Sequence, residues 1–181
     1  MKKFLLVLTS CLLVLTGCDS NMDNTPTKKV EAFLNNYQTL DNSVMEDLDS
    51  VLAADTTLSD NDRKNYREFM EKHYKDLKYE IKDEKIDGDK ATVETEVTVR
   101  NYAKSVSDAE NYKSENKDEF NGEDGNYDAT LFSTYRLDEI KKVTETSTYT
   151  INFSLTKEND EWKINELSDE DLNKINGLYA G

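Results

Sequence analysis

The sequence predicts an α+β domain, in which N-terminal helices pack on a curved antiparallel sheet of two hairpins and a short C-terminal helix follows. Two observations predict this class. Apolar residues recur at helical spacing over residues 26–77 and again near the C-terminus, whereas over residues 77–99 and 149–164 they alternate with polar residues, as in half-buried strands. Helices and strands that occupy separate stretches of a chain are typical of α+β domains.

The predicted domain spans residues 26–181 and starts with three helices. Thr25 is placed to cap the first helix and Pro26 to occupy its first turn, where the missing N–H removes no hydrogen bond. Ser59 and Asp62 form a weak capping box before the third helix. The apolar stripes of the three helices are Val30, Phe33, Leu34, Tyr37 and Leu40; Val44, Leu48, Val51 and Leu52; and Tyr66, Phe69, Met70, His73, Tyr74 and Leu77.

Two hairpins follow, each with one apolar face and one polar face. Asp87 and Gly88 supply the turn of the first hairpin, and residues 158–161 supply that of the second, which leads into Trp162 and Ile164. The alternating apolar set includes Tyr79, Ile81, Ala91, Val93, Val97, Val99, Tyr149, Ile151, Phe153 and Leu155. Ser168 is placed to cap a last helix that ends near Gly177.

The stretch between the two hairpins interrupts these patterns. Residues 103–127 are polar and acidic and include two glycines, so we expect a mobile insertion or a long loop there. A short helix is predicted from about Asp128 to Val143, on the apolar residues Leu131, Tyr135 and Ile140.

Residues 1–17 have the three-part layout of a secretory signal peptide. Lys2 and Lys3 form a basic start, residues 4–15 are almost wholly apolar, and small residues follow. A membrane-spanning helix needs about 20 apolar residues, so this run is too short to span a bilayer. We therefore expect the segment to be removed on export.

Leu15-Thr16-Gly17-Cys18 resembles the lipobox of bacterial lipoproteins. The resemblance implies a diacylglycerol on the Cys18 thiol, cleavage between Gly17 and Cys18, and a lipidated tether over residues 18–25. Two acyl chains, such as palmitate, suffice for stable attachment, here to the outer face of the bacterial cytoplasmic membrane. The other cysteine, Cys11, would be removed with the signal peptide, which excludes disulfides, cysteine nucleophiles and thiolate metal sites in the mature chain.

The order of the elements, and the ending Glu161-Trp162-Lys163-Ile164 after a turn, resemble the nuclear transport factor 2-like (cystatin-like) fold of many small Gram-positive lipoproteins. The resemblance covers about residues 26–178. It implies a bent sheet that wraps the first helix and leaves a conical pocket. The predicted lining of that pocket is Phe33, Tyr37, His73, Tyr79, Tyr149, Phe153 and Trp162.

The chain is strongly acidic. Its net charge is −15, and it becomes −17 once residues 1–17 are removed, because that segment contains two lysines and no acidic residue. Such a charge repels nucleic acid and anionic lipid head groups, so we expect no nucleic-acid partner. A macromolecule bound by charge should be basic or bridged by a cation, although the simpler interpretation is that acidity keeps a tethered domain soluble.

The sequence contains few residues suited to catalysis or metal binding. His73 is its single histidine, and its place in an apolar stripe favours a packed core residue over a general base. Residues 118–128 superficially resemble a calcium loop, but placing Gly122 or Gly125 at loop position 6 puts Lys117 or Phe120 at position 1. We expect neither a metal ion nor a cofactor; a weak divalent site in the acidic stretch stays open.

Three functional hypotheses follow. The first is a non-enzymatic, membrane-anchored module that binds a small apolar ligand, a peptide or a neighbouring envelope protein. The second is an immunity or accessory protein for a secreted toxin or an envelope machine. The third is a small enzyme that uses the pocket around His73. The lack of a recognisable catalytic motif favours the first two.

Overall fold

The described part of the chain, residues 24–181 of a computed structural model, forms an α+β domain with the predicted order of helices, hairpins and a C-terminal helix. The predicted class is therefore confirmed. The predicted signal peptide at residues 1–17, the lipidation site at Cys18 and the tether as far as residue 23 lie outside the described residues.

Three helices begin the domain, and the first and third start where the sequence predicts a cap. The helices are α1 (Pro26–Thr39), α2 (Asn42–Ala54) and α3 (Asp60–Asp76). The Thr25 hydroxyl accepts a hydrogen bond from the backbone N–H of Lys28 at 3.2 Å. The Ser59 hydroxyl accepts one from the backbone N–H of Asp62 at 3.1 Å. Each cap satisfies a first-turn donor that lacks an intrahelical partner, which fixes the start of the helix.

One antiparallel sheet, in the order β1-β2-β3-β4, contains both predicted hairpins. Its strands are β1 (Lys78–Asp87), β2 (Lys90–Arg100), β3 (Thr146–Glu158) and β4 (Glu161–Ile164). Gly88 has a φ of 59° in the β1–β2 turn, and Asn159 and Asp160 have φ values of 51° and 65° in the β3–β4 turn. The two turns lie at the same end of the sheet, where the N–H of Lys157 donates to the carbonyl of Asp89 at 2.8 Å.

The main core lies between this sheet and the first three helices. Val30 and Leu34 of α1, Tyr74 of α3, and Val93 and Val97 of β2 are all fully buried in it. Burial of an apolar side chain of this size contributes roughly 1.5–3 kcal/mol to folding. The alternation read from the sequence therefore sets which face of the sheet the helices cover.

The expectation of a long loop over residues 103–127 is wrong. The segment contains α4 (Ala103–Glu115), a 3-10 turn (Lys117–Phe120) and a short turn closed by a bridge from Asn121 to Tyr127. The reason is that Val106, Ala109 and Tyr112 recur every three residues, so a single side of an otherwise polar helix is apolar. That side is buried against the rest of the domain, and Ala109 is only 1% exposed.

The predicted helix near residues 128–143 is confirmed as α5 (Ala129–Lys141), which packs against α4. Together α4, the 3-10 turn and α5 form a helical layer inserted between β2 and β3. The chain ends with α6 (Asp169–Ile175), whose predicted cap Ser168 accepts from the N–H of Asp171 at 3.1 Å. Within residues 24–181, no helix combines the length and apolar character needed to cross a bilayer.

Candidate functional site

The residues predicted to line a pocket belong mostly to the packed interior. Phe33 contacts both Tyr37 and Phe153 edge-on, with ring centroids 5.4 and 5.8 Å apart. Tyr37, Phe153 and Trp162 are buried, and Phe33 is half-buried beside them. The structure therefore brings this aromatic group together as core. That it lines a ligand pocket stays a prediction.

Two further members of the predicted lining lie at the margins of the core. The Tyr79 hydroxyl donates to the Asn35 side chain at 3.0 Å, and the Tyr149 hydroxyl donates to the carbonyl of Tyr179 at 3.4 Å. Both rings are half-buried. Their hydroxyl groups thus hold α1 and the C-terminal residues to the sheet.

His73 is buried and hydrogen-bonded through both ring nitrogens. Its Nε2 lies 2.8 Å from the carbonyl oxygen of Ile175, which can only accept, so Nε2 carries the proton. Its Nδ1 lies 3.2 Å from the hydroxyl of Tyr102 and accepts from it. Burial lowers the pKa of His73 to about 4, which keeps the ring neutral. With 2% exposure the ring is placed to join α3, α6 and Tyr102, rather than to meet a substrate.

An open groove lies on the inserted helical layer, between α4 and α5, and we call it the α4–α5 groove. Its volume is about 410 Å³. The residues that line it are Asn101, Lys104, Ser105, Asp108, Ala109, Tyr112, Tyr135, Glu139, Lys142, Val143, Thr144 and Glu145. No residue of the predicted pocket lining belongs to this set.

Two tyrosines form the aromatic wall of the groove. The rings of Tyr112 on α4 and Tyr135 on α5 are stacked, with centroids 5.0 Å apart and planes 22° from parallel. Phe120 of the 3-10 turn packs beneath them, with its ring centroid 5.4 Å from that of Tyr135. Both tyrosines stay half-exposed. Half-exposed tyrosine rings are typical of protein-binding surfaces.

The charged side chains that line the groove form two ion pairs, and one carboxylate has no basic partner among the residues of the described chain. Lys142 contacts Glu139 at 2.5 Å, and Lys104 forms an ion pair with Asp108 on the next turn of α4. Across residues 24–181, no basic group pairs with the side chain of Glu145. The groove therefore has an excess of negative charge beside its aromatic wall.

Sequence reasoning does not identify this groove. From the sequence, Tyr112 is a tyrosine of the acidic stretch that could serve a protein contact if exposed, and Tyr135 is an apolar residue of a predicted helix. Their contact depends on α4, in a stretch where the composition predicts a loop. The three-residue spacing of Val106, Ala109 and Tyr112 is the signal that could have revealed it.

The acidic turn that follows the 3-10 helix is held by its own hydrogen bonds. The carboxylate of Asp124 accepts from the backbone N–H of Asn126 and from its side-chain amide, both at 2.9 Å. These bonds lower the pKa of Asp124. Within the part of the chain that the structure describes, no cluster of three or more histidine, cysteine or acidic side chains could hold a metal ion.

No protein-family model matches the chain, and none of the curated proteins compared with it is similar at a significant level. A crystal structure described as that of a candidate lipoprotein (ycdA) of Bacillus subtilis aligns with a TM-score of 0.43 at 15% identity, over 91% of this chain and 51% of the other. This chain thus spans about half the length of that protein, and a TM-score below 0.5 does not establish a shared fold.

Proposed function

We propose that the chain is a bacterial lipoprotein, held at the outer face of the membrane by lipid on Cys18, which binds a partner protein through the α4–α5 groove. The proposed role is binding without catalysis. The observation that supports it best is the position of the groove, which lies at the end of the sheet opposite to the end where the tether enters the domain.

The tether enters beside the β3–β4 turn. Asn24 donates from its side-chain amide to the carbonyl of Asp160 at 2.6 Å and accepts from the N–H of Trp162 at 3.1 Å. The next contact is at the start of α1, where the N–H of Thr27 donates to the Glu84 carboxylate at 2.9 Å. Glu84 pairs with Val93 in the half of β1 that leads to the β1–β2 turn, at the same end of the sheet.

The groove lies at the far end. The pairing of β2 with β3 runs from Lys90 opposite Thr156 to Arg100 opposite Thr146. Asn101, which lines the groove, donates from its N–H to the carbonyl of Glu145 at 3.0 Å, directly beyond this last pair. Ten residue steps of strand at about 3.3 Å each separate the two ends by roughly 33 Å.

Because the tether is short, the placement of the groove at the far end of the sheet would decide which way the groove faces. Six residue steps from Cys18 to Asn24 reach at most about 20 Å, less than the length of the sheet. A domain held by its β3–β4 turn would keep that turn near the lipid and present the groove outwards. A partner at the cell surface could then reach the groove.

We also propose that the domain is a variant of the nuclear transport factor 2-like fold. What supports this is α1, which lies against β1, β2 and β4 on the covered face of the sheet. The inserted layer of α4 and α5 would be the departure from that fold. An experimental structure that superposes poorly on such domains outside residues 101–145 would contradict the assignment.

The anchor is tested by labelling cells with a palmitate analogue. Cys18→Ser is expected to abolish labelling of the chain and release it from the membrane fraction, because Cys18 would supply the acylated thiol. Cys11→Ser is the matched control, since it removes the other cysteine of the sequence and should leave labelling unchanged. Labelling that survives Cys18→Ser would refute the anchor.

The binding role is tested in the same cells with a photo-reactive amino acid. Placed at Lys104, on the rim of the groove, it is expected to form a discrete protein adduct on irradiation. Placed at Lys64, an exposed position on α3 outside the groove, it should not. No adduct at Lys104, or the same adduct at both positions, would contradict binding through the groove.

A further inference from the structure

We infer that the α4–α5 groove receives a basic side chain, an arginine or a lysine, from the partner protein. The inference rests on the proposed function, since it names the chemistry of the partner at the same site. Three features of the groove lead to it: the tyrosine wall, the charge balance of its ion pairs, and its open shape.

The tyrosine wall favours a cation. The faces of aromatic rings carry negative electrostatic potential, and a guanidinium or ammonium group within about 6 Å of such a face is attracted to it. Tyr112 and Tyr135 are stacked on each other with planes 22° from parallel, so one face of each ring is covered by the other ring, and a cation would meet the half-exposed remainder of the pair. An arginine can also lie flat on such a surface, because its guanidinium is planar and weakly hydrated.

The polar and charged groups that line the groove also favour a positively charged ligand. Lys104 and Lys142 are each paired with an acid inside the groove, so the groove contains no excess of positive charge for an anionic ligand. Among the described residues, the carboxylate of Glu145 has no basic partner and the hydroxyl of Tyr135 makes no hydrogen bond. Besides its tyrosine rings, the groove therefore offers the basic surface of a partner an unpaired carboxylate and a free hydroxyl acceptor.

The pKa values of both tyrosines are raised, and nearby carboxylates contribute to each shift. The hydrogen bond to Glu119, then partial burial and the charge of Glu119, raise the pKa of Tyr112. Partial burial and then the charge of Glu139 raise the pKa of Tyr135, against a smaller opposing effect of Lys142. Carboxylates thus outweigh lysines at both rings, as a site for a cation requires.

The shape of the groove and the charge of the chain point to a protein as the source of the cation. The groove is open along one side, so it would cover a side chain that projects from a larger surface better than it would enclose a free small molecule. The net charge of −17 that remains once residues 1–17 are removed also attracts basic surfaces over distances of about a Debye length and speeds their association.

The inference is tested with the full lipidated chain in nanodiscs of neutral phosphatidylcholine. The probes are an acetylated, amidated tri-arginine peptide and the same peptide with citrulline, the uncharged isostere, in place of arginine. We expect the tri-arginine peptide to bind at least about ten-fold more tightly in calorimetric titrations, since the charge is what the groove recognises. Equal binding of the two peptides would overturn the inference.

Variants of the chain test whether the tri-arginine peptide binds in the α4–α5 groove. Tyr112→Leu with Tyr135→Leu keeps the apolar packing and removes the aromatic wall. This double variant should bind the tri-arginine peptide about ten-fold more weakly. Glu145→Lys, an exposed change that does not disturb packing, should weaken it by a similar factor through charge reversal. Tyr127→Leu is the control, because Tyr127 is 54% exposed and lies outside the groove.

The outcomes separate this inference from the proposed function. A chain that is labelled by palmitate and forms the adduct at Lys104, but binds both peptides alike, refutes the basic side chain and leaves the anchored module intact. A chain that loses neither labelling nor membrane attachment on Cys18→Ser refutes the anchor instead. Unchanged tri-arginine binding by both the double tyrosine variant and Glu145→Lys would refute the groove as the site.

Discussion

The imidazole of His73 connects three parts of the chain that are distant in sequence. Its ring lies on α3, its Nε2 donates to Ile175 on α6, and its Nδ1 accepts from Tyr102 at the start of the inserted layer. A neutral ring satisfies both bonds, whereas a doubly protonated ring would direct a second N–H at the tyrosine hydroxyl and place a charge in the core. The residue thus stabilises the domain only while it stays unprotonated.

We predict that this histidine makes the fold sensitive to acid. Burial lowers the pKa of His73 to about 4 from 6.5. The unfolded chain therefore binds the proton first, and stability is complete above about pH 6.5 and is lost as the pH falls towards 4. From pH 7.5 to pH 5 this effect should lower the free energy of unfolding by about 2 kcal/mol.

Because His73 is the single histidine of the sequence, its titration can be followed directly by the imidazole signals in NMR spectra. The free energy of unfolding can be measured by urea denaturation, followed by the fluorescence of the buried Trp162. Its change between pH 7.5 and pH 5 should be smaller in His73→Gln, because glutamine keeps a side-chain donor but does not titrate. Titration of the native imidazole near pH 6.5, or an unchanged pH dependence in the variant, would contradict the prediction.

At the scale of elements, Gly177 fixes the way in which the C-terminal helix meets the sheet. Its φ of 70° is in the left-handed region, and its carbonyl accepts from the N–H of Tyr102 at 2.7 Å. A Cβ at this position would lie 2.1 Å from the carbonyl oxygen of Arg100 at the end of β2. The backbone after α6 can therefore approach β2 this closely only with glycine.

Gly177→Ala is predicted to lower the free energy of unfolding by about 3 kcal/mol, because it combines left-handed strain with a backbone clash. Gly125→Ala is the matched control. Gly125 also has a positive φ, of 77°, but a Cβ there would have no neighbouring atom within 4 Å, so only about 1 kcal/mol of strain is expected. Urea denaturation of the two variants side by side measures the difference, and equal losses would contradict the role of the close approach.

The elements that the sequence predicts correctly are those with strong local signals. Thr25 and Ser59 cap helices where predicted, and the alternation in β2 identifies its buried face. Helix α4 is not predicted from the sequence, because its apolar side is short and its stability depends on contact with α5, which lies further along the chain. The α4–α5 groove could not be predicted for the same reason, since it exists only once the two helices are packed.

At the scale of the whole molecule, the charge and the connection of the tether act together. The strongly acidic chain has no electrostatic reason to lie flat on anionic lipid, so the tether alone should set its orientation. The end of the domain that contains Asn24, Asp160 and Glu84 would then face the membrane. The groove would face away from it, on the side from which the proposed basic partner would approach.

This orientation predicts a gradient of distance from the lipid. The sequence has no cysteine after Cys18, so single cysteines can be introduced and labelled with a donor fluorophore, with the acceptor on lipid head groups. Energy transfer should be strong from Lys85→Cys, near the β1–β2 turn, and weak from Ser107→Cys on α4, because roughly 30 Å of sheet separates the two ends.

The length of the tether supplies the control for the same experiment. An insertion of about 20 glycine and serine residues after Asp19 would add a flexible chain whose end-to-end distance is about 25 Å, comparable with the sheet itself. The difference between the two labelled positions should then largely disappear, because the domain can tumble above the bilayer. A difference that survives the insertion would mean that the domain holds the membrane by a surface of its own. Equal transfer from the two positions in the native-length chain would mean that the short tether does not orient the domain, and the groove would lose its outward position.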